Sequence, residues 1–221
     1  MIYVFGDSWA YGYGLSDRNN NFGSLIGQHY SQPVENYSVP ASSMGHITYE
    51  VMKRAEKFEP GDRVIVILPP DVRWYQINNG HASSLFNGME LYEDWLEKHG
   101  TEEWFTYNHS MFIYTLINIC KQKSDILEDV GLVLAHNYGK LNLHSYFPID
   151  DYFLDKEHSL CYLLTGKEWW ETNYDINIDN HMSVIEHPNF LPNDNHPNET
   201  GHKLIADMIV RRLENGLSQT N

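Results

Sequence analysis

Positive charge is scarce in this chain: 15 Lys and Arg stand against 30 Asp and Glu, a formal charge of −15. That field repels phosphate backbones and anionic headgroups, so nucleic acid and acidic membrane surfaces are disfavoured as partners. Cysteine is nearly absent. Only Cys120 and Cys161 occur, both in apolar settings, which excludes a disulfide framework and reads as two buried thiols. No apolar run approaches the ~18 residues that a membrane span needs. No charged leader precedes the first apolar run at Ile2, so the expectation is a protein made without an export signal, in a reducing compartment such as the cytoplasm. Repeats and low-complexity tracts are also missing. What is there, 42% hydrophobic and 14% aromatic residues in a chain of 221, suffices for one sizeable core.

Short apolar runs alternate with helical stretches, the rhythm of a parallel sheet with crossover helices. The runs cover residues 2–5, 34–39, 64–68 and 132–135. Their near-continuous hydrophobicity suits strands covered on both faces. Helical spacing marks residues 22–30, 47–58 and 111–120, and a last helix after "HPNETG" that carries Leu204, Ile205, Met208, Ile209 and Leu213 on one stripe. Asn198 is a good N-cap for it. Residues 72–107 and 137–190 break the alternation, are rich in aromatics and follow strand ends, where α/β sheets carry ligand-contacting loops. The chain reads as one domain, 1–221, with two insertions. Their aromatic rings suit stacking on sugar faces and equally suit a cap's own core or a subunit contact.

Chemistry concentrates at the two ends. In "VFGDSWAYGYGLSD", residues 4–17, Ser8 stands where the first strand stops. Gly-Asp-Ser serves an ordinary turn, but it also sets a hydroxyl at the carboxyl edge of the sheet. A serine alcohol needs a base to become a nucleophile, and imidazole is the side chain that titrates near neutrality. In "LPNDNHPNETGHKLIADMI", His196 supplies that base, and Asp194, two residues earlier, can fix its tautomer. The order Ser, Asp, His along the chain is immaterial, because triads are defined by geometry. His202, one turn further on, is expected to face solvent or the preceding loop. Asp175, Asn177, Asp179 and Glu186 occupy positions 1, 3, 5 and 12 of a calcium loop. Against that reading, position 6 is Asn180, Ile176 and Ile178 alternate as in a strand, and Pro188 leaves little room for a following helix.

Gly6-Asp7-Ser8 after the first strand, Asn36 opening "NYSVPASS" after the second, and Asp194-x-His196-Pro197 before the last helix together resemble the SGNH (GDSL-type) hydrolases. The resemblance implies a flavodoxin-like three-layer α/β/α sandwich around a central parallel sheet. It implies Ser8 as nucleophile, His196 as base and Asp194 as its partner; Asn193 stands where some relatives carry the acid. The family's oxyanion hole uses the nucleophile's N–H, a glycine N–H after strand two and an asparagine after strand three. Here the glycine position falls on Ala41, and the asparagine block falls on "LPPD", residues 68–71, which holds no Asn. Pro70 has no N–H to offer. Arg73 is the expected substitute, as in variants of the family that are often phage-encoded, because a guanidinium presents several donors. Asp7, Trp9, Trp74 and Tyr75 are the expected substrate contacts. The implied activity is hydrolysis of small acyl esters, O-acetyl groups on a carbohydrate foremost, through an acyl-serine and with no cofactor. The alternatives are a catalytically impaired glycan-binding relative and an O-acyltransferase using the same residues.

Overall fold

β-Branched and large apolar residues in the short runs cannot satisfy both faces of a strand in water, so the runs pair and are covered twice. In the computed structural model, residues 1–69, 74–78, 81–85, 102–122, 131–137, 152–155, 157–168, 171, 176–177 and 182–217 are described. Chain order runs β1 (Ile2–Phe5), α1 (Ser8–Tyr11), α2 (Phe22–Tyr30), β2 (Val34–Asn36), α3 (Met44–Arg54) and β3 (Arg63–Leu68). It continues through the antiparallel hairpin of β4 (Trp74–Asn78) and β5 (His81–Leu85), then α4 (Glu102–Gln122), β6 (Gly131–His136) and α5 (Leu160–Thr165). A two-residue pair, β7 (Ile176–Asn177) and β8 (Met182–Ser183), precedes α6 (Glu199–Leu217).

The main sheet is parallel, in the order β2-β1-β3-β6. Val4 lies opposite Asn36 on one side and Ile65 on the other, and Leu68 lies opposite His136. Alternation divides the strands between two cores. Ile2, Val4, Ile65, Ile67 and Val133 pack with Phe22, Ile26, Ile205 and Ile209, from α2 and α6. Tyr3, Phe5, Val64, Val66 and Leu68 pack with Ile47 and Val51 of α3 and Ile113, Leu116 and Ile117 of α4. This is the three-layer α/β/α sandwich around a parallel sheet. Cys120 and Cys161 are both buried free thiols, and burial pushes each up to about 12. Among the described residues no helix is long and apolar enough to cross a membrane.

Several boundaries differ from those the sequence suggests. β2 stops at Asn36 because that side chain accepts from the Ser38 N–H and donates to the Ala10 carbonyl, which turns the chain out of the ladder. α3 begins at Met44, where the Ser43 hydroxyl caps the His46 N–H, and its last turn tightens into a 3₁₀ turn at Ala55–Lys57. α4 starts nine residues before its apolar stripe, through a polar first half whose His109 and Ser110 are buried all the same. The carboxyl ends of the four parallel strands lie on one side of the sheet, and the chain's two terminal segments meet there. Glu199, at the start of α6, accepts from Ser16 Oγ and Asn20 Nδ2, and the Phe22 N–H donates to His202 Nδ1.

Candidate active site

The β1–α1 junction is built for close approach. A Cβ on Gly6 would stand 2.6 Å from Ala10 Cβ and 3.0 Å from the Ile67 carbonyl oxygen, so only glycine lets α1 sit directly on β3. Asp7 then caps the four-residue α1, its Oδ1 accepting from the Trp9 N–H at 3.1 Å. Its Oδ2 accepts from Asn137 Nδ2 at 2.8 Å, across from the end of β6. Both Asp7 and Asn137 are buried. Ser8 is thereby fixed as the first residue of α1, nearly buried, at the sheet edge. Among the described residues Ser8 Oγ makes no hydrogen bond, to His196 or to any other group.

The loop before α6 is shaped independently. Asn193 takes φ 57°, a left-handed turn that Asn tolerates. The His196 carbonyl accepts from the Leu191 N–H, and Phe190 bridges Pro197. Within this turn Asp194 Oδ1 lies 2.6 Å from His196 Nδ1 and also accepts from the Asn195 N–H. Burial alone raises the Asp194 carboxyl. The His196 hydrogen bond and charge, with the backbone N–H groups of Asn195 and His196, outweigh it and leave the carboxyl below its ordinary value. Asp194 therefore stays ionised and holds the Nδ1 proton, which leaves Nε2 as the basic nitrogen.

Three contacts dock this loop on the β1–α1 segment. Trp9 meets Phe190 edge-on at 5.5 Å, Leu191 fills the space where a side chain on Gly14 would stand, and the Tyr13 ring lies 4.8 Å from the His196 ring. The imidazole from the far end of the chain is thus carried to the segment that holds Ser8.

The loop after β2 forms the other wall. Asn36 Nδ2 donates to the Ala10 carbonyl, the Val39 N–H donates to the Gly6 carbonyl, and the Ser42 N–H closes a turn on Val39 O. Ala41, inside that turn, has φ 69°. The residue at the family's glycine position therefore adopts the left-handed conformation despite its Cβ. Neither the Ala41 N–H nor the Ser8 N–H has a hydrogen-bond partner among the described residues. Two unspent donors at one edge suit an anion.

Other expectations fare differently. Trp9 is fully buried against Phe190 in the α2/α6 core, so it is a packing residue and not a substrate contact. Asp7 is equally buried and serves as a cap. Arg73 lies outside the described residues; of Trp74 and Tyr75 the backbone alone is described, in β4. Asp175 and Asp179 also lie outside, and Asn177 pairs with Met182 in a hairpin, while Glu186 is exposed in extended chain with no helix following. Among the described residues of the segment, Ile176–Asn177 and Met182–Ser183 pair as strands, and the remaining calcium-loop positions up to residue 181 lie outside the described residues.

His202 does not face solvent. It is fully buried, stacks on Phe22 and accepts from the Phe22 N–H, an otherwise orphaned donor at the start of α2. Two residues escaped the sequence reading. Asn137 had a signal in its place just beyond an apolar run. Tyr13, 46% exposed over His196, had one in the glycines on either side, Gly12 and Gly14, both at φ 78°.

This parallel sheet in the order β2-β1-β3-β6, covered by helices on both faces, is the fold that solved GDSL/SGNH esterases adopt. The chain is similar, at 15% identity and TM-score 0.54, to the psychrotrophic esterase EstA from Pseudoalteromonas sp., with 98% of each chain covered. It is similar to TesA at 10% identity and TM-score 0.52, covering 98% of this chain and 99% of that one. A two-domain esterase, CEX, active on acetylated mannans, matches at 14% identity and TM-score 0.53 over 98% of this chain, which spans about half (49%) of that protein. No protein-family model matches the chain. No curated protein matches it either.

Proposed function

We propose that this protein is a serine esterase that hydrolyses small acyl esters, with O-acetyl groups on a carbohydrate as the favoured substrate. The observation that carries the reading is the Asp194–His196 pair, closed at 2.6 Å and docked through Tyr13, Leu191 and Phe190 on the segment bearing Ser8. Ser8 Oγ attacks the acyl carbon while His196 Nε2 takes its proton, and Asp194 stabilises the imidazolium. The carbonyl oxygen, now an anion, accepts from the Ser8 and Ala41 N–H groups, with Arg73 proposed as a third donor. Collapse of the tetrahedral intermediate breaks the bond to the alcohol, which leaves with the proton from His196. Water, deprotonated by the same nitrogen, attacks the acyl-serine and releases the acid. Catalytic hydrogen bonds often tighten only with substrate bound.

The carbohydrate preference rests on Tyr13. Its exposed ring lies 4.8 Å from the imidazole that would protonate the departing alcohol, and it offers an apolar face to a sugar. A similar fold in an esterase active on acetylated mannans supports the same class. The test is a fluorophosphonate probe together with turnover of an aryl acetate. Wild-type protein is expected to be labelled at Ser8 and to hydrolyse the ester, and Ser8→Ala to do neither while keeping its fold. Unlabelled wild-type Ser8, or unchanged turnover in Ser8→Ala, overturns the reading and leaves a glycan-binding relative.

A further inference from the structure

The turn that presents Ala41 is held by a chain of two hydrogen bonds reaching back into α3. Ser42 Oγ lies 2.8 Å from the Val39 carbonyl and 3.0 Å from His46 Nδ1, and Ser42 and His46 are both buried. A hydroxyl has one proton to give. Since Ser42 gives it to Val39, the proton between Ser42 and His46 belongs to Nδ1, and the relay runs from Nδ1–H to Oγ–H to the carbonyl. Each link polarises the next. Burial lowers the His46 pKa; Glu50 opposes this and Arg54 adds to it, so the fold favours the neutral ring. The Val39 peptide is pinned at both ends of this arrangement, its N–H to Gly6 and its carbonyl to Ser42. Ala41 sits inside the pinned segment at φ 69°, a conformation that its Cβ resists and that surroundings must impose.

We propose that His46 is a positioning residue for the anion-binding turn: by holding Ser42 on Val39 it keeps Ala41 left-handed, with the Ala41 N–H directed to the developing oxyanion. This deepens the esterase reading and rests on it for the role of Ala41. His46 touches no substrate; it acts through Ser42 and the turn.

His46→Leu removes the donor, His46→Asn returns an N–H close to the Nδ1 position, and Ala41→Gly supplies a residue that is left-handed without help. On an aryl acetate, His46→Leu is expected to lower kcat roughly 10–100-fold with KM nearly unchanged, short of the roughly 10²–10³ that deleting a donor costs. His46→Asn is expected to recover most of that loss, and so is Ala41→Gly placed in the His46→Leu background. A merely structural histidine would move thermal stability and not kcat well below the unfolding temperature. Unchanged kcat in His46→Leu, or no recovery with Ala41→Gly, overturns the proposal. Should His46→Leu misfold, Ser42→Ala carries the same expectations. Should the wild-type protein neither hydrolyse the ester nor take the fluorophosphonate, the esterase reading fails. The Ala41 φ in a crystal structure of His46→Leu then decides: departure from the left-handed region supports the relay, and an unchanged φ refutes it.

Discussion

A carboxylate two residues before an imidazole reaches Nδ1 when the backbone between them bends, as it does at Asn195, whose own N–H donates to the same Asp194 Oδ1. The pair is consequently local and does not depend on a distant acid. Replacing Asp194 by Asn keeps the shape but presents a neutral amide, which no longer stabilises the imidazolium and favours the wrong tautomer. Asp194→Asn is expected to lower kcat on the order of 10³–10⁴-fold, with little change in KM, in a steady-state ester assay. A loss below tenfold would mean that another group orients His196. Because the Asp194 pKa is lowered on folding, its ionised contribution is present above the ordinary carboxylate range and disappears only as pH falls through that lowered value. Residue types with chemistry of their own were legible as candidates in the sequence: proton-transfer requirements pointed to Ser8, Asp194 and His196, and of these the structure shows Asp194 joined to His196. Burial was not. Trp9 follows Ser8, the proposed nucleophile, directly, yet a four-residue helix lying on β3 turns it inward onto Phe190, 181 residues away.

The elements that carried an apolar signature were legible almost to the residue. β1 and α2 have the bounds their hydrophobic spacing suggests, β3 starts one residue earlier, and β6 is longer by one residue at each end. Elements governed by side-chain-to-backbone bonds were not. The Asn36 side chain cuts β2 short, and the Ser43 cap moves α3 three residues earlier than its apolar stripe. The β1–α1 junction belongs to the same class, since nothing in Gly-Asp-Ser announces that α1 will press on β3. Gly6→Ala places a methyl 2.6 Å from Ala10 Cβ and 3.0 Å from the Ile67 oxygen, and backbone on either side must yield. Overpacking of this kind costs roughly 1–3 kcal/mol. Denaturant unfolding of Gly6→Ala is expected to show that loss, with a larger proportional fall in ester turnover because Ser8 moves with α1. Full activity with unaltered stability would show that the junction has room the structure denies it.

At the scale of the molecule, the two ends of the chain are joined beside the site, and one of the joints titrates. His202 of α6 must be unprotonated at Nδ1 to accept the Phe22 N–H, and its Nε2 is buried with no partner among the described residues. Burial, with a smaller contribution from His196, lowers its pKa to about 4. Burial likewise lowers His46, and lowers His109 still further with help from His136. Each of these groups binds its proton more readily in the unfolded chain, so each gives stability that is whole above about pH 6.5 and drains away as pH falls. For His202 the loss runs from about pH 6.5 down to about 4 and amounts to about 3 kcal/mol. Acid should therefore loosen the α2–α6 joint while Asp194 is still ionised, and unfolding near pH 5 should take up protons, measurable by comparing calorimetric enthalpies in buffers of different ionisation heat. His202→Asn retains an acceptor for Phe22 but nothing that titrates in this range. Its stability is expected to vary with pH between 7 and 4 by about 3 kcal/mol less than that of the wild type, and parallel curves for the two proteins would remove His202 from the account of acid unfolding.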